Sequence, residues 1–426
     1  MKADLVIVNI GQLVTCASGG RPKRGPEMRD VGVIENGALA IADGKFIGVG
    51  KKEVILADFS ADEVVDAGGK VVCPGFVDPH THIVFAGDRL DEFELKIQGA
   101  DYLEILAKGG GIISTVRKTR AASFEELVEQ SRKRLDKMLA CGTAAAEIKT
   151  GYGLDTETEL KMLRVIEELD KTHPIDIVPT FLPAHAVPPE FKGDTDGYVD
   201  LICEEMLPEA WKWFERSHFF TKGIPFFADV FCERNAFGLD QMRRVLEAAA
   251  GLGFRSKAHV DQFTNLGGSG LAIDSNAASV DHLDAISEAE IERLAASDTI
   301  GIVIPTENFN AGKSQFANAR GMIGAGCAMA LSTDYNPGSA PCPSMPMAMA
   351  IACRYQKLLP AEAMNAATIN AAYGIGLGEM HGSIEIGKSA DLLIIDSSDY
   401  RLISHEFGRQ ITATAFKSGK VVDIVI

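Results

Sequence analysis

Between residues 71 and 332 the chain repeats one pattern, a short and mostly apolar run followed by a stretch with helical spacing. The runs are Val71–Val77, Thr143–Lys149, Ile175–Phe181, Phe226–Phe231, Arg255–His259, Ala278–His282, Gly301–Pro305 and Ala328–Ser332. The stretches Glu125–Leu139, Glu157–Leu169, Leu239–Ala250, Glu288–Ala296 and Phe316–Ala325 carry apolar residues at the three- and four-residue intervals of a helix face. A helix after each strand returns the chain to the same end of the sheet, so the strands run parallel. Eight such units predict a closed (β/α)8 barrel, an α/β fold. An open doubly wound sheet would carry a phosphate-binding GxGxxG after its first strand, and Gly109-Gly110-Gly111 does not supply it.

The two ends of the chain follow another pattern. Asp4–Asn9, Leu13–Cys16, Ala38–Ala42 and Phe46–Val49 read as short strands, the last two joined by the hairpin signal Asp43-Gly44. Ala390–Ile395 and Ala413–Ile426, the latter around Ser418-Gly419, read the same way. The expectation is a small β-sandwich domain composed of residues 1–70 and 383–426, bracketing a barrel over 71–382. A chain of 426 residues holds both, since one barrel takes roughly 250.

Composition narrows the partners. A net charge of −17 disfavours nucleic acid, whose binders concentrate lysine and arginine. No apolar run reaches the ~18 residues that span a bilayer, and Met1-Lys2-Ala3-Asp4-Leu5 lacks a secretory profile. The expectation is a cytoplasmic protein with no membrane partner. Its eight cysteines show no repeated CxxC spacing and read as reduced core residues. An acidic protein that binds an anion must place positive charge locally at the site.

Barrel active sites form at the C-terminal ends of several strands. Of nine histidines, His80, His82, His259 and His282 fall at or just past predicted strand ends, and Asp334 follows the eighth. In His80-Thr81-His82 the two imidazoles share one side of an extended backbone, because side chains alternate with period two. Neutral imidazole is a good ligand for zinc or iron. Taken alone, HxH is more often two polar loop residues than a metal site.

The run Pro74-Gly-Phe-Val-Asp-Pro-His-Thr-His82 resembles the first-strand signature of the amidohydrolase superfamily. Glu147-Ile-Lys-Thr-Gly-Tyr-Gly153, Pro183-Ala-His-Ala186, Asp281-His-Leu283 and Thr333-Asp-Tyr-Asn-Pro-Gly-Ser339 narrow the resemblance to the imidazolonepropionases. It covers nearly the whole chain. It implies one divalent metal ion, zinc or iron, held by His80, His82, His259 and Asp334, with an open position for water. Binuclear relatives bridge two ions with a carboxylated lysine on strand four, and Phe226–Phe231 contains no lysine. Lys149, on strand two, reads as a structural or electrostatic group.

The implied reaction is attack of metal-activated water on the ring carbonyl of 4-imidazolone-5-propanoate, giving N-formimidoyl-L-glutamate. His282 would sit beside that water and handle its proton, and Asp334 is a second acceptor. Many deaminase relatives carry His-x-x-Glu after strand five. Here the segment is His259-Val-Asp-Gln262, and an amide cannot exchange a proton as a carboxyl can. The same-fold alternative is another ring hydrolase or a deaminase; Gln262 counts against the deaminase and leaves the proton route open. Asp261 is expected to point the other way.

Arg89 matches a position for the substrate's carboxylate, which suits a planar guanidinium. Tyr102, Tyr152, His185 and Gln262 match substrate-contacting positions, and Asn336, Gly338 and Ser339 are expected to cradle the opened product. The resemblance also implies a homodimer. A catalytically inactive scaffold relative is the alternative of another class, disfavoured because all four ligands are present. His173, His218, His381 and His405 read as surface or packing residues, and Glu204–Gly223 as an amphipathic helix making core or subunit contacts.

Overall fold

The computed structural model describes residues 1–99, 110–234 and 236–423. Eight parallel strands form the barrel sheet: β1 Phe76–Asp78, β2 Thr143–Lys149, β3 Asp176–Ala184, β4 Phe227–Cys232, β5 Arg255–Val260, β6 Ser279–His282, β7 Ile300–Val303 and β8 Met329–Leu331. Neighbours pair in sequence order, and the register sets His259 of β5 beside Asp281 of β6. Side chains and loops bring β8 back to β1. Ser332 Oγ lies 2.6 Å from Asp78 Oδ1, and Tyr335 accepts the His82 amide at 3.0 Å.

Helices cover the strands as the spacing predicts, with one shortfall. Phe316–Ala325 is helical only over Ala319–Ala325, where Asn318 accepts from the Gly321 amide and starts the helix.

The predicted strand Val71–Val77 is divided between two sheets. Val71–Pro74 pairs with Leu392–Ile395 in a mixed sheet, and β1 begins after Gly75. At that junction a Cβ on Gly75 would stand 2.4 Å from the Ala144 Cβ, so only glycine lets the chain pass against β2. The mixed sheet has eight strands drawn from both chain ends, and the two expected strands near the N-terminus are one, Lys2–Val14. Alternation along it builds two apolar faces. Leu5 and Ile7 join Leu39, Phe46 and Leu392, whereas Val6 and Val8 face Ile55 of the helix Lys52–Asp58.

The sheet is tied to the bottom of the barrel. Lys417 Nζ donates to Ala144 O at 2.9 Å and contacts Asp176 and Asp391 at 2.6 Å each, at the starts of β2 and β3. The barrel's opposite end carries the C-terminal ends of the eight strands.

The tryptophan-rich segment packs inward. Helix Thr195–Leu201 runs through a π-turn, Ile202–Met206, into Leu207–Phe214. Pro208 has no N–H to give to the preceding turn, and the wider turn absorbs the mismatch. Phe214 stacks on Phe226 with ring centres 4.8 Å apart, and Trp211 meets Phe254 at 5.1 Å. These are core contacts. All eight cysteines are free thiols.

Candidate metal-dependent active site

Three imidazoles converge at the C-terminal mouth. His82 Nε2 lies 3.2 Å from His80 Nε2 and 3.3 Å from His259 Nε2. Asp334 Oδ1 is 3.6 Å from His80 Nε2 and 3.5 Å from His82 Nε2. Ligands at 2.0–2.2 Å around one tetrahedral ion would be separated by about 3.3–3.6 Å. The three imidazoles therefore fit a single divalent cation, with Asp334 beside two of them. Alternation explains the pair from one segment, since Thr81 between them turns away and its hydroxyl donates to Glu147 O at 2.6 Å.

The protonation chemistry agrees with that fit. Burial holds His80, His82 and His259 below the ordinary imidazole range, so their lone pairs are available. His80 Nδ1 is 2.6 Å from Asp281 Oδ2, which leaves Nε2 to face the cluster. His259 Nδ1 lies 2.9 Å from Asp229. Such carboxylates orient ligating imidazoles and raise their basicity. Burial pushes the Asp334 carboxyl up to about 8, a cost that a bound cation reverses.

Beneath the cluster lies a fully buried layer of charge. Lys149 Nζ contacts Asp229 at 2.7 Å and Glu147 at 2.9 Å, and Lys257 Nζ contacts Glu147 at 2.8 Å and Pro79 O at 2.8 Å. Lys149 is thus an electrostatic support, as its place on β2 suggests. Asp229 and the orienting role of Asp281 were not singled out from sequence. Asp281 is in register with His259 yet reaches His80 across the barrel, and Asp229, two residues before the Phe231 that pairs with His259, reaches the His259 ring, contacts that only the closed barrel reveals.

His282 stands beside the cluster, with ring centres 5.3 Å from both His80 and His259. It and Leu283 have φ of 83° and 67°, which break the strand's alternation and let neighbouring Asp281 and His282 both reach the site. Facing His282 is a residue that sequence reasoning missed, Glu307 of helix Pro305–Asn310, whose Oε2 is 3.4 Å from His282 Nδ1. Burial lifts the Glu307 carboxyl, but His282 and Lys313 outweigh it and bring it to about 2. Against the opposing cost of burial, Glu307 and Asp334 raise the His282 imidazole. Asp261, by contrast, turns away and accepts from Ser269.

The substrate-side residues lie around this centre. His185 stacks on His82 with centres 4.8 Å apart, its Nδ1 3.1 Å from Gly151 O, and Tyr152 is buried 5.4 Å from the His185 ring. Glu92 grips the Arg89 guanidinium through Nε at 2.8 Å and through Nη2. Its Nη1 abuts Gly338. Asn336 organises its own loop, its Oδ1 accepting the Gly338 and Ser339 amides at 2.8 Å each and its Nδ2 donating to Ser339 Oγ. Those donors, expected to cradle product, are engaged within the turn. Tyr102 lies outside the described residues.

The remaining histidines take no part. His173 pairs with Asp136, His218 with Asp170 and His381 with Asp391, at 3.2, 2.6 and 2.9 Å.

A sequence model of the amidohydrolase family matches residues 71–426. An imidazolonepropionase from Chloroflexus aggregans is 52% identical over 98% of each chain. One from Herpetosiphon aurantiacus is 49% identical over 99% of this chain and 97% of its own. An adenosine deaminase from Xanthomonas campestris, solved with bound zinc, superposes with a TM-score of 0.71 at 18% identity, over 99% of this chain and 93% of that one. That likeness shows the fold, and the sequence relatives show the branch. With the metal-fitting cluster at the barrel mouth, they establish that this chain belongs to the imidazolonepropionase family of amidohydrolases.

Proposed function

We propose that this chain hydrolyses 4-imidazolone-5-propanoate to N-formimidoyl-L-glutamate, using one zinc or iron ion held by His80, His82, His259 and Asp334. The observation that carries the reading is the convergence of three neutral imidazoles at ligand spacing, with the Asp334 carboxyl beside two of them and a fourth imidazole alongside. Bound there, the ion would make water nucleophilic near neutral pH and polarise the ring carbonyl.

The chain's own groups do the rest. His282 takes the proton released as water adds to the carbonyl carbon. It returns that proton to the ring nitrogen as the carbon–nitrogen bond breaks. Tyr152 and His185 form one wall of the pocket and exclude water from the ring face. Arg89 pairs with the propanoate carboxylate through its Nη1 side, its Nε–Nη2 edge being held by Glu92. Gln262 orients polar groups without exchanging protons.

The test is metal content by mass spectrometry measured together with loss of imidazolone absorbance. Purified protein should hold about one metal ion per chain, as four ligands at one centre imply, and should consume the substrate. His80→Ala and Asp334→Ala should lose metal and turnover together. A variant with full metal and normal turnover would overturn the ligand assignment, and wild type that leaves the substrate intact would overturn the reaction.

A further inference from the structure

Gln262 leaves the proton-handling side of this site without a carboxylate on β5, yet a carboxylate is present there from another element. Glu307 lies on the short helix that follows β7 and is 3% exposed. The start of that helix is pinned to the loop after β8 by Thr306 Oγ1, which donates to Thr333 O at 2.6 Å, next to Asp334. Asn308, one residue on, donates to Asp284. Glu307 is therefore aimed, not merely buried.

Its two oxygens are used differently. Oε1 is 3.3 Å from Lys313 Nζ, a contact that neutralises the charge. Oε2 is buried, has no hydrogen-bond partner and lies 3.4 Å from His282 Nδ1, which is also buried and unpartnered. Two buried, otherwise unpartnered polar atoms facing each other at 3.4 Å are placed to pair as imidazole N–H and carboxylate. A purely structural glutamate would need only Lys313.

We propose that Glu307 is a positioning residue for His282, its carboxylate holding the Nδ1 edge so that Nε2 handles the proton of ring opening. This rests on the hydrolysis proposed above. Glu307 keeps its charge throughout. The proton passes from water to His282 Nε2 and on to the departing ring nitrogen, so no net proton is gained or lost by the pair. The other charged groups around it are Asp334, Asp284 and Lys313.

Two measurements on the metal-loaded enzyme test the idea. In kinetics, Glu307→Gln keeps the volume and removes the charge. It should lower kcat by about 10–100-fold, the usual effect of losing a partner that orients a functional imidazole, with KM changed far less. Glu307→Asp should recover part of kcat. In a His282→Ala background Glu307→Gln should cause no further loss, because the residue it orients is gone. Wild-type kcat in Glu307→Gln, or losses that multiply in the double variant, would overturn the proposal.

The second measurement does not depend on turnover. Nitrogen-15 shifts of histidine-labelled protein, with His282 assigned by difference from His282→Ala, should report Nδ1–H in wild type and lose that bias in Glu307→Ala. An unchanged His282 signal would overturn the positioning role even if the enzyme hydrolyses its substrate. A wild type that turns over no imidazolone, with the His282 signal still responding to Glu307, would instead count against the reaction alone.

Discussion

Arg89 shows how one residue's neighbours decide what it can bind. Glu92 occupies its Nε–Nη2 edge and Gly338 lies against Nη1, four residues beyond Asp334. If this guanidinium holds the propanoate, Arg89→Ala should lose about 2–4 kcal/mol in kcat/KM, the cost of truncating one partner of a buried charge pair. Arg89→Lys should recover only part, since an ammonium cannot make a forked contact. Gly338→Ala gives a subtler check. Its new Cβ would fall 2.0 Å from Nη1, so the guanidinium must shift, and KM should rise more than kcat falls. Equal kcat/KM for wild type and Arg89→Ala would place the carboxylate elsewhere. The four proposed ligands and His282 were legible as residues because each closes or follows a predicted strand. Glu307 was not. It opens a helix that no motif marks, and only the approach of its carboxylate to His282 gives it meaning.

At the scale of elements, capping follows the sequence closely. Helix Glu288–Ala295 begins at Ser287, whose Oγ accepts the Glu290 amide at 3.3 Å while Glu290 accepts the Ser287 amide at 3.2 Å. Ser287→Ala should cost about 1 kcal/mol of stability. Thermal unfolding should show that as a lower Tm, with kcat unchanged, because the cap lies away from the metal cluster. An unchanged Tm would mean the tertiary contacts of this helix already fix its start. The split of Val71–Val77 between two sheets was not legible, since the whole run is apolar and either sheet would bury it. The left-handed turn at His282 and Leu283 escaped as well. Neither residue type favours positive φ enough to announce it, and strict alternation would have sent Asp281 and His282 to opposite sides.

For the whole molecule, one buried contact that joins the parts lies at the end of the barrel opposite the active site. Lys417 bridges Asp391 of the mixed sheet to Asp176 and Ala144 of the barrel. Burial raises the Asp391 carboxyl, but Lys417 and His381 outweigh it, so its folded pKa lies below the unfolded one. That stabilisation is complete above the unfolded carboxyl value of about 3.9 and is lost as pH falls through the folded value. Wild type should therefore weaken progressively as pH drops below about 4. Lys417→Met leaves Asp391 buried without its cation, and such a loss typically costs about 3–5 kcal/mol. Denaturant unfolding at neutral pH should show that loss and, on acidification, a shallower further decline, while kcat under folding conditions stays near wild type. A variant as stable as wild type would show the bridge to be dispensable. The sequence by itself determined the eightfold alternation, the β character of both ends and the residues able to bind a metal. Those follow from local periodicity and side-chain chemistry, which neighbouring residues fix. The tertiary structure alone decided which carboxylate meets which imidazole. Asp229 and Asp281 reach their histidines across the closed barrel, and Glu307 through the placement of the helix after β7. Contacts between distant segments depend on the closed barrel, where one residue of slip would turn each side chain away.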